Sequence, residues 1–174
     1  MSESSEMVCL EAALAFRNEM FDIVSADGNA TVVFPHVDSC VAVIFLHAKG
    51  KATCGHVSQT TAGAAMEGRG PVGQAESLAD MLPRMHEWSN ATPVEQVIFV
   101  GHPSWRGICA TAASKDPLLA KAKCVNLCDY NDPLDIFAEL GAQKLRIQKW
   151  VSNPSRDATQ VPARQGEWLY EGGL

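Results

Sequence analysis

The chain has 174 residues, 47% hydrophobic and 20% charged, enough for one ordinary domain to build its own core without metal or disulfide staples. A formal charge of −6, with 14 basic residues scattered along the chain, argues against a nucleic-acid partner held through its phosphates. The longest apolar run, Val41 to Leu46, suits a buried strand and is far too short for a membrane span, so no membrane partner is expected.

The first residues, Met-Ser-Glu-Ser-Ser-Glu-Met, are acidic and lack the basic, then apolar, layout of a secretory signal. The six cysteines are scattered, as expected of buried or free thiols in a reducing compartment. A single domain over 1–174 is expected, with 1–8 and 153–165 loosely ordered.

In chain order, Cys9 to Met20 is rich in Ala, Leu and Glu and reads as a short helix. Phe21 to Val24 reads as a strand and Asp27-Gly28-Asn29 as a turn. Three β-type runs follow: Ala30 to Phe34, Cys40 to His47 and Lys51 to Ser58. Thr60 to Gly73 is glycine-rich loop chemistry, a candidate rim or lid. Gln74 to Trp88 is helical, with Ala75, Leu78, Ala79, Leu82 and Met85 on one face and a kink or break expected at Pro83. Val94 to Val100 is an apolar strand, Ile108 to Ala122 a helix interrupted near Asp116-Pro117, and Cys124 to Asp129 a further buried strand. Asp132 as cap, Pro133 in the first turn and Gly141 as terminator predict a helix between them. Leu145 to Val151 reads as a strand, followed by a polar tail broken only by Trp168-Leu169-Tyr170. The mixture predicts an α/β or α+β class: a layered sandwich with a mixed, largely antiparallel β core, the later strands adding parallel pairs.

The segment from Asp38 to His56 carries the chemistry. Two apolar runs flank Ala48-Lys49-Gly50, and a type I turn at Ala48-Lys49 with a left-handed Gly50 would close a hairpin on His47 and Lys51. Facing residues then sum to 98, so Ala42 faces His56 and Cys40 faces Ser58. Strand alternation puts Cys40 and His56 on one face as diagonal neighbours, about 7–8 Å apart between backbones. A two-residue turn would shift the sum to 99 and send the two side chains to opposite faces. An imidazole beside a thiol can stabilise the thiolate, which makes Cys40 a candidate nucleophile and His56 its base. Backbone N–H groups of Ser39 and Cys40 could serve an oxyanion, and Thr31, Gln59, Thr60 or a carbonyl could orient the histidine. A cysteine and a histidine on adjacent strands are also common core residues, and spacing alone does not separate the two readings.

Ser39-Cys40-Val41-Ala42-Val43, followed sixteen residues after the cysteine by the glycine-preceded His56, resembles the chemoreceptor glutamine deamidase family. There a Gly-Ser-Cys-Val-Ala-Val run supplies the nucleophile and the next strand the histidine. Ala52-Thr53-Cys54-Gly55-His56 is similar, one residue shorter, to the histidine strand of protein N-terminal asparagine amidohydrolase. Deamidating toxins of the cytotoxic necrotizing factor type use a similar Cys-His arrangement. The resemblance covers only residues 31 to 56; Asp38 stands where the chemoreceptor family has Gly, Phe34 where it has a catalytic Thr, and its Leu-Pro after the histidine is absent. It implies a deamidase-like fold and a cofactor-free amidohydrolase with Cys40 and His56 as catalytic residues. The implied partner is a protein or peptide bearing a Gln or Asn amide. A cytoplasmic protein, or one delivered into a host cell without a classical signal, would suit that chemistry. A non-catalytic binding domain that keeps the hairpin, or protease or transglutaminase chemistry on the same dyad, are the alternatives.

Other patterns rank lower. Cys124-x-x-x-Cys128 and Cys54-x-His56 lack the paired spacing of a zinc site and read as core thiols, so no metal is expected. Gly101-His102-Pro103-Ser104-Trp105 does not match a hydrolase elbow; it reads as a loop in which His102 and Trp105 are candidate substrate-lining residues. The glycines of 68–73 lack the ending of a phosphate loop.

Overall fold

A computed structural model describes residues 7–9, 23–58, 73–150 and 168–174. Among the described residues, ten strands and two α-helices follow in order: β1 (Met7–Cys9), β2 (Ile23–Ala26), β3 (Thr31–Val37), β4 (Val41–Leu46), β5 (Ala52–Val57), α1 (Gln74–Trp88), β6 (Gln96–Gly101), α2 (Arg106–Lys115), β7 (Lys123–Leu127), β8 (Leu134–Glu139), β9 (Lys144–Lys149) and β10 (Trp168–Gly173). They form two five-stranded sheets, ordered β1-β3-β8-β9-β10 and β2-β5-β4-β6-β7. Among these described strands, β1–β3 and β6–β7 pair in parallel and the others antiparallel. The class is therefore α+β, a sandwich of mixed, largely antiparallel sheets.

The apolar pattern of β4 explains the layering. Its even residues, Ala42 and Ile44, enter a core shared with Val32 and Phe34 of β3, Leu134 and Ile136 of β8, and Ile147 of β9. Its odd residues, Val41, Val43 and Phe45, enter a second core against Leu78, Met81, Leu82 and Met85 of α1 and Cys109 of α2. A strand buried on both faces needs an unbroken apolar run, which is what Val41 to Leu46 supplies. Burying each of its larger side chains is worth about 1.5–3 kcal/mol.

Most sequence expectations hold, within a residue or two at the ends. The turn at Asp27 to Asn29 forms, with Gly28 at φ 62° and the Ala30 amide donating to the Asp27 carbonyl at 3.2 Å. The helix from 108 does stop at Asp116, whose carboxylate accepts from the Leu118 amide to start a short 3-10 turn, Pro117–Leu119.

Five expectations are corrected. The helix between Asp132 and Gly141 is instead β8, pairing with β3 on one side and β9 on the other. Its cap-like residues serve other ends: Asp132 pairs with Lys149 at 3.6 Å, the Pro133 carbonyl accepts from the Trp150 amide, and Gly141 sits in the β8–β9 turn. The alternation of Leu134, Ile136 and Ala138 into the inter-sheet core, with two ladders of backbone hydrogen bonds, outweighs local capping preference. Cys9 lies in β1 rather than opening a helix, and residues 10–22 lie outside the described ones. Pro83 neither ends nor divides α1, because it lies on the exposed face, where water can serve the carbonyl it leaves without a donor. The buried face of α1 is Ser77, Leu78, Met81, Leu82, Met85 and His86, while Ala75 and Ala79 are exposed. Finally, β7 is a sheet edge, exposed at Cys124 and half-buried beyond it, and the tail residues Trp168 to Gly173 form β10 on the other sheet. The expected lid, 60–73, and the loose tail, 153–165, fall outside the described residues, apart from Gly73. Among the described residues no helix is long and apolar enough to cross a membrane.

Candidate active site

The hairpin register is the one that places facing residues at a sum of 98: Val41 pairs with Val57, Ala42 with His56, and Leu46 with Ala52. The His47 amide donates to the Lys51 carbonyl at 2.8 Å and closes the loop. The turn itself differs from the expected one, since Lys49 (φ 63°, ψ 33°) and Gly50 (φ 70°) are both left-handed. Two consecutive left-handed residues match the twist of the strands they join.

His56 therefore projects to the inter-sheet side, where its ring meets Phe34 of β3 edge-on, centroids 6.1 Å apart. It is 2% exposed. Cys40 precedes β4, is half-buried and packs against the same inter-sheet core. The two side chains thus lie on one side of the sheet, with the sulfur nearer to solvent.

Cys40 owes its position to a crossing between sheets. The chain leaves one sheet at β3 and enters the other at β4 within Asp38, Ser39 and Cys40. A register shift between Phe34 and Val37 bends the exit strand, and His36 there has φ 50°. Its amide donates to Asp135 Oδ1 at 3.0 Å, and its ring stacks on Trp150 at 4.1 Å. On the other side, Trp105 Nε1 donates to the Ser39 carbonyl at 3.1 Å. Gly101 is opposite Val41, and a Cβ there would lie 3.0 Å from the Cys40 carbonyl oxygen. Only glycine lets the two strands close this tightly beside Cys40.

Burial pushes the Cys40 thiol up to about 11, from an ordinary value of 9.0; the Ser39 side-chain hydrogen bond pulls the other way and the Asp38 carboxylate adds to the rise. The expected stabilised thiolate is thus not the resting form near neutral pH. Any attack by this sulfur must shed its proton as the new bond forms.

The other predicted site residues scatter. Ser39 is exposed and hydrogen-bonds the Cys40 thiol, so it belongs to the site. Thr31 does not: it has the opposite parity to Val32 and Phe34, which point into the inter-sheet core, so it faces the far side of its sheet from His56. Gln59 and Thr60 lie outside the described residues. Trp105 is wholly buried in the helix-side core and is an anchor for the Ser39 loop rather than a substrate-lining surface. His102, just past the end of β6, is half-buried, its Nδ1 accepting from the Ser104 amide at 3.1 Å.

Tyr130 was missed. It packs against the inter-sheet core, and its amide donates to the Gly101 carbonyl at 3.2 Å. The signal was available, because β6 and β7 run parallel and so end on the same side, carrying the residues after them to one rim. Burial raises the Tyr130 phenol above its ordinary range.

Among the described residues no group of three His, Cys, Asp or Glu side chains is placed to hold an ion. Cys54 is buried and its thiol pushed up to about 12; Cys109 hydrogen-bonds Cys128 within the helix-side core, which raises the Cys109 thiol as well. Cys124, expected in the core, is exposed on the edge strand.

Neither a family model nor a curated protein matches the chain. The case for a function therefore rests on this chain's own residues.

Proposed function

We propose that the protein is a cysteine-dependent amidohydrolase, with the Cys40 sulfur as nucleophile and His56 as general base and acid. The observation that carries this reading is the pairing of Ala42 with His56, which gives Cys40 and His56 the same side of the sheet. The short resemblance of residues 31 to 56 to the Cys-His deamidases supports it and points to a Gln or Asn amide of a protein or peptide as substrate. Cytoplasmic action, or action after delivery into another cell, is compatible with that substrate class.

The chemistry follows from the raised thiol. Cys40 approaches the amide carbon as His56 takes the thiol proton, so S–C bond formation and proton transfer are concerted rather than preceded by an ion pair. The tetrahedral intermediate collapses as His56 returns the proton to nitrogen, and ammonia leaves. Water, deprotonated by His56, then hydrolyses the thioester to the acid. The burial of His56 strengthens the polar contacts its ring makes.

A second reading, a non-catalytic domain that keeps the hairpin as core, is favoured by one observation: His56 is 2% exposed. The two separate on a library of Gln- and Asn-bearing peptides followed by mass spectrometry. Conversion of an amide to an acid, a gain of about one mass unit from NH₂ to OH exchange, is expected with the native protein and lost in Cys40→Ser. Conversion that survives in Cys40→Ser removes the proposed mechanism; a chain that converts nothing in the library supports the non-catalytic domain.

A further inference from the structure

We propose that His102 is the electrophilic residue of this site, donating its Nε2–H to the carbonyl oxygen that gains negative charge as Cys40 attacks. The proposal rests on the reading of Cys40 as nucleophile and assigns a role to a residue outside the dyad.

Placement comes from the second ladder of β4. Val41 pairs with Gly101 and Ala42 with Val100, so continuing the antiparallel register by one residue sets His102 across from Cys40. Cys40 thus lies between two strand ends, with the His56 strand on one side and His102 on the other. His102, just past the end of β6, has φ −71° and ψ 149°, an extended conformation. Its ring turns to Ser104 of the following turn, whose hydroxyl Gln74 of α1 also holds, so the imidazole is fixed at the strand end beside the Cys40 backbone. Unlike His56, His102 is partly exposed, so a ligand entering at Cys40 can reach it.

The protonation pattern comes from Ser104. A backbone N–H can only donate, and that of Ser104 is directed at His102 Nδ1 at 3.1 Å. The Ser104 hydroxyl, which accepts from Gln74 Nε2 at 2.9 Å, lies 2.9 Å from the same nitrogen and is free to turn its hydrogen to it. With the Ser104 amide aimed at Nδ1, the neutral ring carries its hydrogen on Nε2. That nitrogen is then a donor, the role an oxyanion needs, and is unsuited to act as a base. The two histidines divide the work: one moves the proton and the other holds the charge.

Two reagents that modify the same sulfur separate this role from a structural one. With p-nitrophenyl acetate the Cys40 sulfur bonds to the acetyl carbon and the thiol proton passes to His56. The carbonyl π pair moves to oxygen, and collapse expels p-nitrophenolate to leave an acetyl thioester. With iodoacetamide the sulfur displaces iodide and no oxyanion develops. We expect His102→Ala to lower the Cys40-dependent release of p-nitrophenolate, defined against Cys40→Ser, on the order of 100-fold, with alkylation of Cys40 changed by no more than about twofold. His102→Gln, which keeps a side-chain N–H, should recover part of the loss. Nitrogen-15 spectra of the imidazoles in the native protein should show the His102 ring with its hydrogen on Nε2. Equal losses in both reactions, unchanged acylation in His102→Ala, or a hydrogen on Nδ1 would each overturn the assignment while leaving Cys40 as nucleophile. A native protein with no Cys40-dependent acylation removes both proposals together.

Discussion

Trp105, wholly buried between the second sheet and the helices, donates its indole N–H to the carbonyl of Ser39, 66 residues earlier and one residue before Cys40. The hydrogen bond ties the inter-sheet crossing to the start of α2 and fixes where the sulfur emerges. Trp105→Phe keeps most of the volume but removes the donor and leaves the part-buried Ser39 carbonyl to find another. It should cost about 1–3 kcal/mol in denaturant unfolding. Cys40-dependent acylation should fall by more than the unfolded fraction explains, because the loop carrying the sulfur loses its tether.

The raised thiol predicts the pH dependence of labelling. Iodoacetamide reacts with the thiolate, so the Cys40 rate should keep climbing through pH 9.0 and level off only near the value of about 11 set by burial. A plateau at or below neutral pH, measured by peptide mass spectrometry, would show a resting ion pair and refute the concerted proton transfer.

Linkage makes the same burial a stability term. A thiol whose value is raised by folding stabilises the native state fully below its ordinary value of 9.0, and the contribution is lost as pH rises through the raised value. For Cys40 the loss runs to about 11 and for the sealed Cys54 to about 12. Cys54→Val, which cannot ionise, should therefore lose less stability than the native chain between about pH 8 and pH 11 in thermal unfolding.

His86 and Asp116 join α1 to the end of α2 at 2.7 Å with their side chains 7% and 12% exposed, and Asp116 also accepts from the Leu118 amide. Removing one partner from a hydrogen bond buried this deeply costs about 1–3 kcal/mol, so Asp116→Ala should lower the unfolding midpoint. Arg106 and Asp129 also pair, but both side chains are more than half exposed. Arg106→Ala should cost under about 1 kcal/mol in the same assay. A reversed order would mean that the α1–α2 contact is carried by apolar packing alone.

Lys49 holds φ 63° in the hairpin turn, a conformation that costs a residue with a Cβ about 1 kcal/mol relative to glycine. Lys49→Gly should therefore stabilise the protein by up to about 1 kcal/mol and leave the His56 register unchanged. Loss of stability in calorimetry would show that Lys49 contributes through its side chain instead.

Local signals were sufficient for the hairpin. Apolar runs on either side of Ala48-Lys49-Gly50 admit few closures, and the period of two along a strand turns the correct closure directly into the shared side of Cys40 and His56. The same locality explains α1, Gly28 and the stop at Asp116. It also explains the error at 132–141, where a cap-like Asp132 and a terminating Gly141 describe a helix until β3, roughly 100 residues earlier, and the neighbouring β9 each offer a ladder. The assignment of Thr31 and Trp105 to the site failed for a related reason. Which sheet face Thr31 takes, and how deeply Trp105 sinks, are set by layers that short-range pattern does not describe.

The sequence by itself determined the β4–β5 register and, with it, the side on which sulfur and imidazole lie, because turn length and strand alternation are short-range geometry. Only the tertiary structure decided how deeply each is buried, and so that the thiol rests protonated. It alone brought the end of β6 beside Cys40, since contacts between distant segments depend on which sheets form and how they stack.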